Sequence, residues 1–344
     1  DADLFDAGLD RIVRLDERGR AAGRAVPLAT SPDARDGART TFQHFDEPLA
    51  LDTPVPTTAG WSTIGELRAG DEVFGRDGRP LRVLGASPVH VGRACFQVSF
   101  RDGTSVVTDG GHRWKALEWS NRPAGEQVVT TKQMLDRGLV TGYGYRWRMP
   151  RSAGVEWPSR LLPIDPYLLG AWLGDGATSA GYLHSAPADY FEMSAGVEHT
   201  VSDDAPPGVV RWLPAGLRSQ LRRLGVLGNK HIPADYATAS RGQRIELLRG
   251  LMDTDGHTTA GGSCVFVQAR RELAAQVQQL VRSLGEQASL VRAPDQRSRT
   301  GEMWKVHFSP EFAPFRLARK VDRASWGARS STSWPTVVSI EPVP

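Results

Sequence analysis

Two segments of this chain share one pattern. Leu168-Leu169-Gly170-Ala171-Trp172-Leu173-Gly174-Asp175-Gly176 and Leu248-Arg249-Gly250-Leu251-Met252-Asp253-Thr254-Asp255-Gly256 are apolar helical runs ending in an acid followed by glycine, with Asp175 and Asp255 80 positions apart. Each run is too short and too apolar for an ordinary surface helix, and Gly170, Ala171 and Gly250 sit where two helix backbones approach closely. Packing the two helices together predicts that Asp175 and Asp255 lie side by side at their C-terminal ends. Like charges at that separation repel strongly unless a divalent cation lies between them, and oxygen ligands with water suit Mg²⁺. The chemistry expected of such a pair is metal-assisted phosphodiester hydrolysis. One copy alone reads more plainly as a core helix with an acid at its end, and the repetition is what singles out the acids.

The chain has 344 residues, 40% of them hydrophobic, which permits two or three packed domains. A formal charge of +3 and a pI near 9.0 support a nucleic-acid partner only modestly, so the distribution of charge matters more than its total. Between Val291 and Ser330 the bases Arg292, Arg297, Arg299, Lys305, Arg316, Arg319, Lys320, Arg323 and Arg329 face only Asp295, Glu302, Glu311 and Asp322. This run supplies candidate phosphate contacts, with Arg292, Arg297, Arg299 and Lys305 as the DNA-binding candidates and the strand residues between them reading base edges. Two cysteines argue against a disulfide-stapled secreted fold, and Cys95 and Cys264 read as buried free thiols. No signal peptide and no apolar span of about twenty residues is visible, so the expected compartment is the cytoplasm and no membrane partner is expected.

Upstream of the motif pair the pattern changes. Ala50-Leu51-Asp52-Thr53-Pro54-Val55-Pro56-Thr57 leads into Gly60-Trp61, then Ile64-Gly65-Glu66-Leu67-Arg68-Ala69-Gly70-Asp71-Glu72-Val73-Phe74 and Asp77-Gly78-Arg79-Pro80. Short apolar runs broken by Gly, Asp-Gly and Pro read as strands and tight turns of an all-β module.

The motif pair resembles that of the LAGLIDADG homing endonucleases. In that family the motif helices form the interface between two pseudo-symmetric α/β halves, each carrying a curved sheet that lies on DNA. The resemblance implies that Asp175 and Asp255 bind Mg²⁺, assisted by backbone carbonyls at Gly174 and Thr254. The stretch Leu224-Gly225-Val226-Leu227-Gly228-Asn229-Lys230-His231-Ile232-Pro233 is similar to the family segment that supplies an active-site lysine, which implies that role for Lys230. A lysine there stabilises developing phosphate charge or polarises the attacking water. Downstream, Leu273, Val277, Leu280, Val281 and Leu284 mark an amphipathic helix expected on the back of the second sheet.

The β module resembles the opening of an intein, the Hedgehog/intein (Hint) fold that excises itself from a host protein, and the match runs through Asp102-Gly103-Thr104-Ser105-Val106-Val107-Thr108-Asp109-Gly110-Gly111-His112. In inteins the histidine at the His112 position hydrogen-bonds the first splice junction and helps protonate the departing amide, a task suited to an imidazole. Ala50 departs from the usual Cys or Ser that attacks the preceding carbonyl. Class-three inteins begin at a non-nucleophilic residue in a similar Ala-Leu-Asp-Thr-Pro context, and they carry a tryptophan two residues beyond the histidine, which Trp114 matches. An engineered Cys to Ala change would also leave Ala here, but Trp114 favours the natural class. The first junction is therefore expected between Leu49 and Ala50, with Thr108, His112 and Trp114 beside it.

The expected architecture is multidomain β plus α/β: a partial Hint all-β horseshoe module interrupted by a pseudo-symmetric two-motif α/β endonuclease. Residues 1–49 read as the end of the host protein (N-extein), 50–157 as the first part of the Hint module, and 158–333 as an endonuclease that folds on its own. The stretch from Tyr143 to Pro163 reads as the linker between them. Residues 334–344 read as the start of the C-terminal Hint strand. The C-terminal Cys, the terminal His-Asn and the downstream nucleophile are absent from the sequence, so the missing intein segment and C-extein are expected partners in cis, and splicing by this chain alone is expected to fail. The expected function is site-specific cleavage of both strands of double-stranded DNA, the intein-free host allele, by a monomer. The alternatives are a splicing element whose insert binds DNA without cutting, and a chain in which only the junction chemistry matters.

Overall fold

The computed structural model describes residues 5–7, 12–15, 21–25, 49–119, 125–260, 262–295, 301–323 and 334–343. Asp1–Thr41 and Phe42–Pro344 are separate compact units. In the first, β1 (Phe5–Ala7), β2 (Ile12–Leu15) and β3 (Ala21–Ala25) form an antiparallel sheet in sequence order.

The second unit opens with strands. β4 (Pro54–Thr57), β5 (Gly60–Thr63), β6 (Glu72–Phe74) and β7 (Pro80–Arg82) form a sheet in the order β5-β4-β6-β7. β8 (Cys95–Phe100) and β9 (Ser105–Asp109) form a hairpin whose turn is set by Asp102, whose Oδ1 accepts from Thr104 N at 3.0 Å, and by Gly103 at φ +83°. β10 (Arg113–Glu118) pairs with β11 (Gln127–Thr130), which runs into α1 (Thr131–Arg137) through a Thr130/Gln133 capping box. β12 (Val140–Thr141), β13 (Gly144–Tyr145) and β14 (Trp147–Arg148) follow. The stretch from Tyr143 is thus not simply a linker: β14 pairs with β10, and Trp147 is fully buried in a core with Val98, Ala116, Val129 and Met134. Aromatic mass decides this, because burying a tryptophan is worth more than leaving its strand free.

The other part has its own core. It comprises α2 (Pro166–Asp175), β15 (Leu183–Ser185), α3 (Pro187–Met193), β16 (His199–Ser202), β17 (Val210–Pro214) and α4 (Leu217–Arg223), then α5 (Ala234–Ala237), α6 (Arg241–Asp255), β18 (Gly256–Thr258) and β19 (Cys264–Gln268), and finally α7 (Arg271–Ser283), β20 (Ala288–Pro294), β21 (Glu302–Phe308) and α8 (Ala318–Val321). Its sheets run β15-β17-β16 and β18-β19-β21-β20. α7 buries Leu273, Val277, Leu280 and Val281 with Phe266, Val306 and Phe308 of the second sheet, as its amphipathic pattern requires. The last strand, β22 (Val337–Val343), returns to pair antiparallel with β8, from Val337↔Phe100 to Val343↔Cys95, and adds Val337 and Ile340 to the first core. Cys264 is buried, but Cys95 is only half-buried, because it lies at the end of β8.

A strap over residues 153–156 joins the β6–β7 turn to the end of α7. Ala153 N donates to Arg76 O (2.7 Å) and Glu156 N to Gly78 O (3.1 Å), while Val155 N donates to Ser283 O (3.0 Å). Arg244, fully buried on α6, donates to Ala239 O (2.9 Å), Ser283 O (2.8 Å) and Val155 O, and its guanidinium lies 4.9 Å from the Trp157 ring centre. Trp157 Nε1 in turn donates to Thr57 O at 2.8 Å. The contacts of Arg244 thus reach residues ahead of Pro158.

Candidate functional site

Helix α2 starts with Asp165 accepting from Leu168 N (3.1 Å) and Pro166 in the first turn, and α6 starts with a Ser240/Gln243 capping box. The two helices pack backbone on backbone. A Cβ built on Gly170 would lie 2.1 Å from Leu247 O, one on Gly250 2.1 Å from Tyr167 O, and one on Gly174 2.0 Å from Thr254 Oγ1. Such approaches are open only to glycine. Asp175 and Asp255 are the last residues of the two helices, so the close crossing brings both acids to one end.

Burial, opposed by His184 and Lys230, pushes the Asp175 carboxyl above the usual range. Asp255 is pushed up to about 6, by burial first and by the Asp175 charge second. Burial lowers Lys230 to about 8 against the pull of both acids. Its Nζ donates to Gly174 O at 3.0 Å and sits 5.1 Å from the Trp172 ring centre. The Gly174 carbonyl is therefore already engaged, and the Thr254 hydroxyl turns inward to Gly250 O (3.1 Å) and Leu251 O (2.9 Å).

Three neighbours of the acids were not legible in the sequence as site residues. Gln268 Nε2 donates to Asp255 Oδ2 at 3.3 Å, and His184 Nδ1 lies 3.4 Å from Asp175 O, in a cleft of about 400 Å³ lined also by Arg211. The third is Lys320, whose Nζ donates to Met252 O (2.9 Å), Asp253 O (2.6 Å) and Gly256 O (2.7 Å) at the end of α6. Burial lowers it to about 8. Lys230 and Lys320 thus each bond carbonyls at the C-terminal end of a motif helix. The extra acid of the second motif, Asp253, is structural: it accepts from Tyr167 Oη at 2.8 Å and from Arg316 N and Leu317 N.

Among the described residues no group of three or more His, Cys, Asp or Glu side chains is placed to hold a metal. The donors at the helix ends are two carboxylates, which fits a hard cation completing its shell with backbone oxygens and water rather than zinc. Two acids disfavoured in their ionised forms, Asp175 by burial and Asp255 by burial and the Asp175 charge, are the physical sign of that fit.

The structure separates the DNA-binding candidates. Val291 stands opposite Lys305 and Arg292 opposite Trp304, so Lys305 lies on the face with Val267 and His307, whereas Arg292 lies on the face that carries α7 and pairs with Glu302. Arg297 and Arg299 lie outside the described residues. Further along the basic run, Arg316 pairs with Glu246 (2.6 Å), Arg319 with Asp189 (2.5 Å), and Lys320 caps α6, so internal acids and carbonyls take up charge that the sequence suggested was free for phosphates.

The candidate splice residues form a second cluster. Leu49 bridges to Thr108, and Ala50 N donates to Val107 O at 3.0 Å, which fixes the Leu49–Ala50 peptide along β9. His112 stands edge-on to Trp114 with ring centres 4.7 Å apart. Trp114 Nε1 donates to Thr131 Oγ1 (2.9 Å), which lies 3.1 Å from Thr108 Oγ1. Asp109 accepts from Gly111 N (2.9 Å), His112 N (2.8 Å) and Arg93 (2.8 Å), shaping the loop that carries the histidine. Thr131 and Asp109 were missed by sequence reasoning. The Thr130 capping box was the available signal for Thr131.

Residues 242–309 match the family described as a LAGLIDADG-like domain. A replicative DNA helicase DnaB from Mycobacterium intracellulare is 34% identical over 325 residues, covering 86% of this chain and 53% of that protein. The chain thus spans about half the length of this curated relative. Among solved structures, the MchDnaB-1 intein is 39% identical over 30% of this chain and 66% of its own, with a TM-score of 0.24. I-DmoI in complex with DNA and Ca is 11% identical over 46% of this chain and 95% of its own, with a TM-score of 0.32.

Proposed function

We propose that this chain, an intein carrying a LAGLIDADG endonuclease domain, makes site-specific double-strand breaks in DNA by Mg²⁺-dependent hydrolysis within a protein-splicing element. The observation that carries the reading is the crossing of α2 and α6 through Gly170, Gly250 and Gly174, which brings Asp175 and Asp255 to one end beside Lys230. Asp175 and Asp255 would hold the cation, with the carbonyls of Gly174 and Thr254 assisting. When bound, Mg²⁺ lowers the pKa of water and neutralises charge on the phosphate. Each acid would serve one strand. Lys230, desolvated and with one hydrogen bond to Gly174 O, stands ready to exchange a proton with the attacking water or to stabilise phosphate charge, while Lys320 spends its three N–H groups on the carbonyls at the end of α6 and contributes its positive charge beside the acids. Lys305 and His307 on the open face of the second sheet provide contacts to the duplex.

At the Leu49–Ala50 peptide, the same reading gives His112 the proton for the departing amide. Trp114 fixes the imidazole edge-on, and Thr108 holds the junction against β9. Ala50 has no nucleophile, so the attack on the Leu49 carbonyl would come from another residue, as in class-three inteins.

The test is cleavage of a randomised duplex library with Mg²⁺ by the chain and by Asp175→Asn and Asp255→Asn. Breaks at one site that vanish in both variants support the reading. Specific binding without breaks would replace it with a degenerate, DNA-binding insert.

A further inference from the structure

We propose that Asp189, on α3 of the first half, is a positioning residue for Lys320 and acts through Arg319, so that the basic group of the second half-site is held by the first half. The inference rests on the endonuclease reading of that site.

The segment that presents Lys320 has little structure of its own. α8 is a single turn, Ala318–Val321, and one turn is too short to sustain itself in water. Its geometry is imposed from outside. Glu192 of α3 accepts from Ala318 N at 2.9 Å, capping the turn, and Asp189 takes Arg319 in a two-point fork, Nε to Oδ1 at 2.6 Å and Nη2 to Oδ2 at 2.5 Å. Asp189 is buried and Arg319 is half exposed, so the fixed member of the pair is the acid of the first half. A two-point arginine–carboxylate fork sets orientation as well as distance. With Arg319 pinned, the next residue, Lys320, is aimed at the three carbonyls at the end of α6.

The first half-site is built differently. Lys230 sits in a loop tied to its own half by Gly228 N to Thr178 O (2.8 Å) and Asn229 N to Val226 O (3.0 Å), and to the second half by neutral side-chain acceptors, Arg270 Nη2 to Asn229 Oδ1 (3.1 Å) and Ile232 N to Gln276 Oε1 (2.9 Å). Both lysines lie at the ends of the motif helices, but among the described residues it is the Lys320 segment that an ion pair from the opposite half holds. The two sites depend on different contacts: Asp189 and Arg319 hold the Lys320 segment, and the bonds that hold the Lys230 loop involve neither of them, so a disturbance at Asp189 is expected at the Lys320 site.

The experiment uses the full chain, a target duplex selected from the randomised library with each strand separately labelled, and Mg²⁺. It compares Asp189→Asn, Asp189→Glu and the charge-swapped pair Asp189→Arg with Arg319→Asp. In parallel, metal-free protein is acetylated and modification of Lys320 is followed by mass spectrometry. Asp189→Asn is expected to slow one strand about a hundredfold while the other keeps its rate. It should also raise Lys320 acetylation several-fold, with Asp189→Glu or the swapped pair restoring most of both. Equal slowing of both strands with unchanged Lys320 labelling would overturn the proposal in favour of a general structural role, as would no effect on either readout. If the unaltered chain cuts no duplex, the endonuclease reading fails, and the acetylation pattern alone then decides whether Asp189 positions Lys320.

Discussion

Thr254 Oγ1 fills the space that a Cβ on Gly174 would need, at a separation of only 2.0 Å. These residues hold the same place in the two motifs, one step before each terminal acid. The hydroxyl is folded back onto its own helix, donating to Gly250 O and Leu251 O, which lets the two backbones meet and the acids converge.

A methyl group at this crossing should be expensive. Gly250→Ala would place Cβ 2.1 Å from Tyr167 O and 2.6 Å from Ala171 N, both backbone atoms that cannot move aside alone. The expected loss of stability is about 1–3 kcal/mol, read as a lower midpoint in thermal or denaturant unfolding.

The acid pair sets a pH dependence. Asp255 titrates at about 6 in the folded chain against an ordinary 3.8, so between those values the folded state holds a proton that the unfolded state has lost. This group's contribution to stability is therefore greatest below the lower value and is lost as pH rises through the interval. Cation binding needs the carboxylate, so at Mg²⁺ concentrations well below saturation cleavage should fall about tenfold per pH unit below about 6. A rate profile that stays flat down to pH 5 would contradict this.

Lys230 should matter to rate and not to folding. Lys230→Met removes a buried ammonium and the hydrogen bond to Gly174 O. Cleavage is expected to drop by about 10²–10³-fold, with an unfolding midpoint at or above that of the parent chain. Single-turnover kinetics beside a melting curve would separate the two.

At the junction, Trp114→Phe keeps the ring beside His112 but deletes the donor to Thr131 Oγ1. The lost hydrogen bond is worth about 1 kcal/mol. Slower cleavage at Leu49–Ala50 is expected, measured by the appearance of the released N-terminal fragment. Equal rates would remove Trp114 from the proposed role.

The strap gives a prediction about fragments. Arg244 takes Val155 O as an acceptor and stacks on Trp157, both ahead of Pro158. A fragment beginning at Gly154 should resist protease longer than one beginning at Pro158, whose buried guanidinium has lost partners at a cost of about 1–3 kcal/mol. Equal lifetimes would show the strap to be dispensable.

The sequence by itself determined the local elements. Glycines at matching places in Leu168–Gly176 and Leu248–Gly256 fixed two helices able to touch, and the apolar spacing from Leu273 to Leu284 fixed a helix with one buried face, because such periodicities are written residue by residue. Turn chemistry at Asp77-Gly78 marked the bend between β6 and β7 for the same reason. The tertiary structure decided what depends on distant partners. A run of bases after Val291 looks alike along the chain, yet Arg292 and Lys305 fall on opposite faces, Arg319 is taken by Asp189 of the other half, and Lys320 turns inward to carbonyls of α6. Whether a charge is free for a ligand depends on which acids and carbonyls the fold brings beside it, and those lie up to 130 positions away.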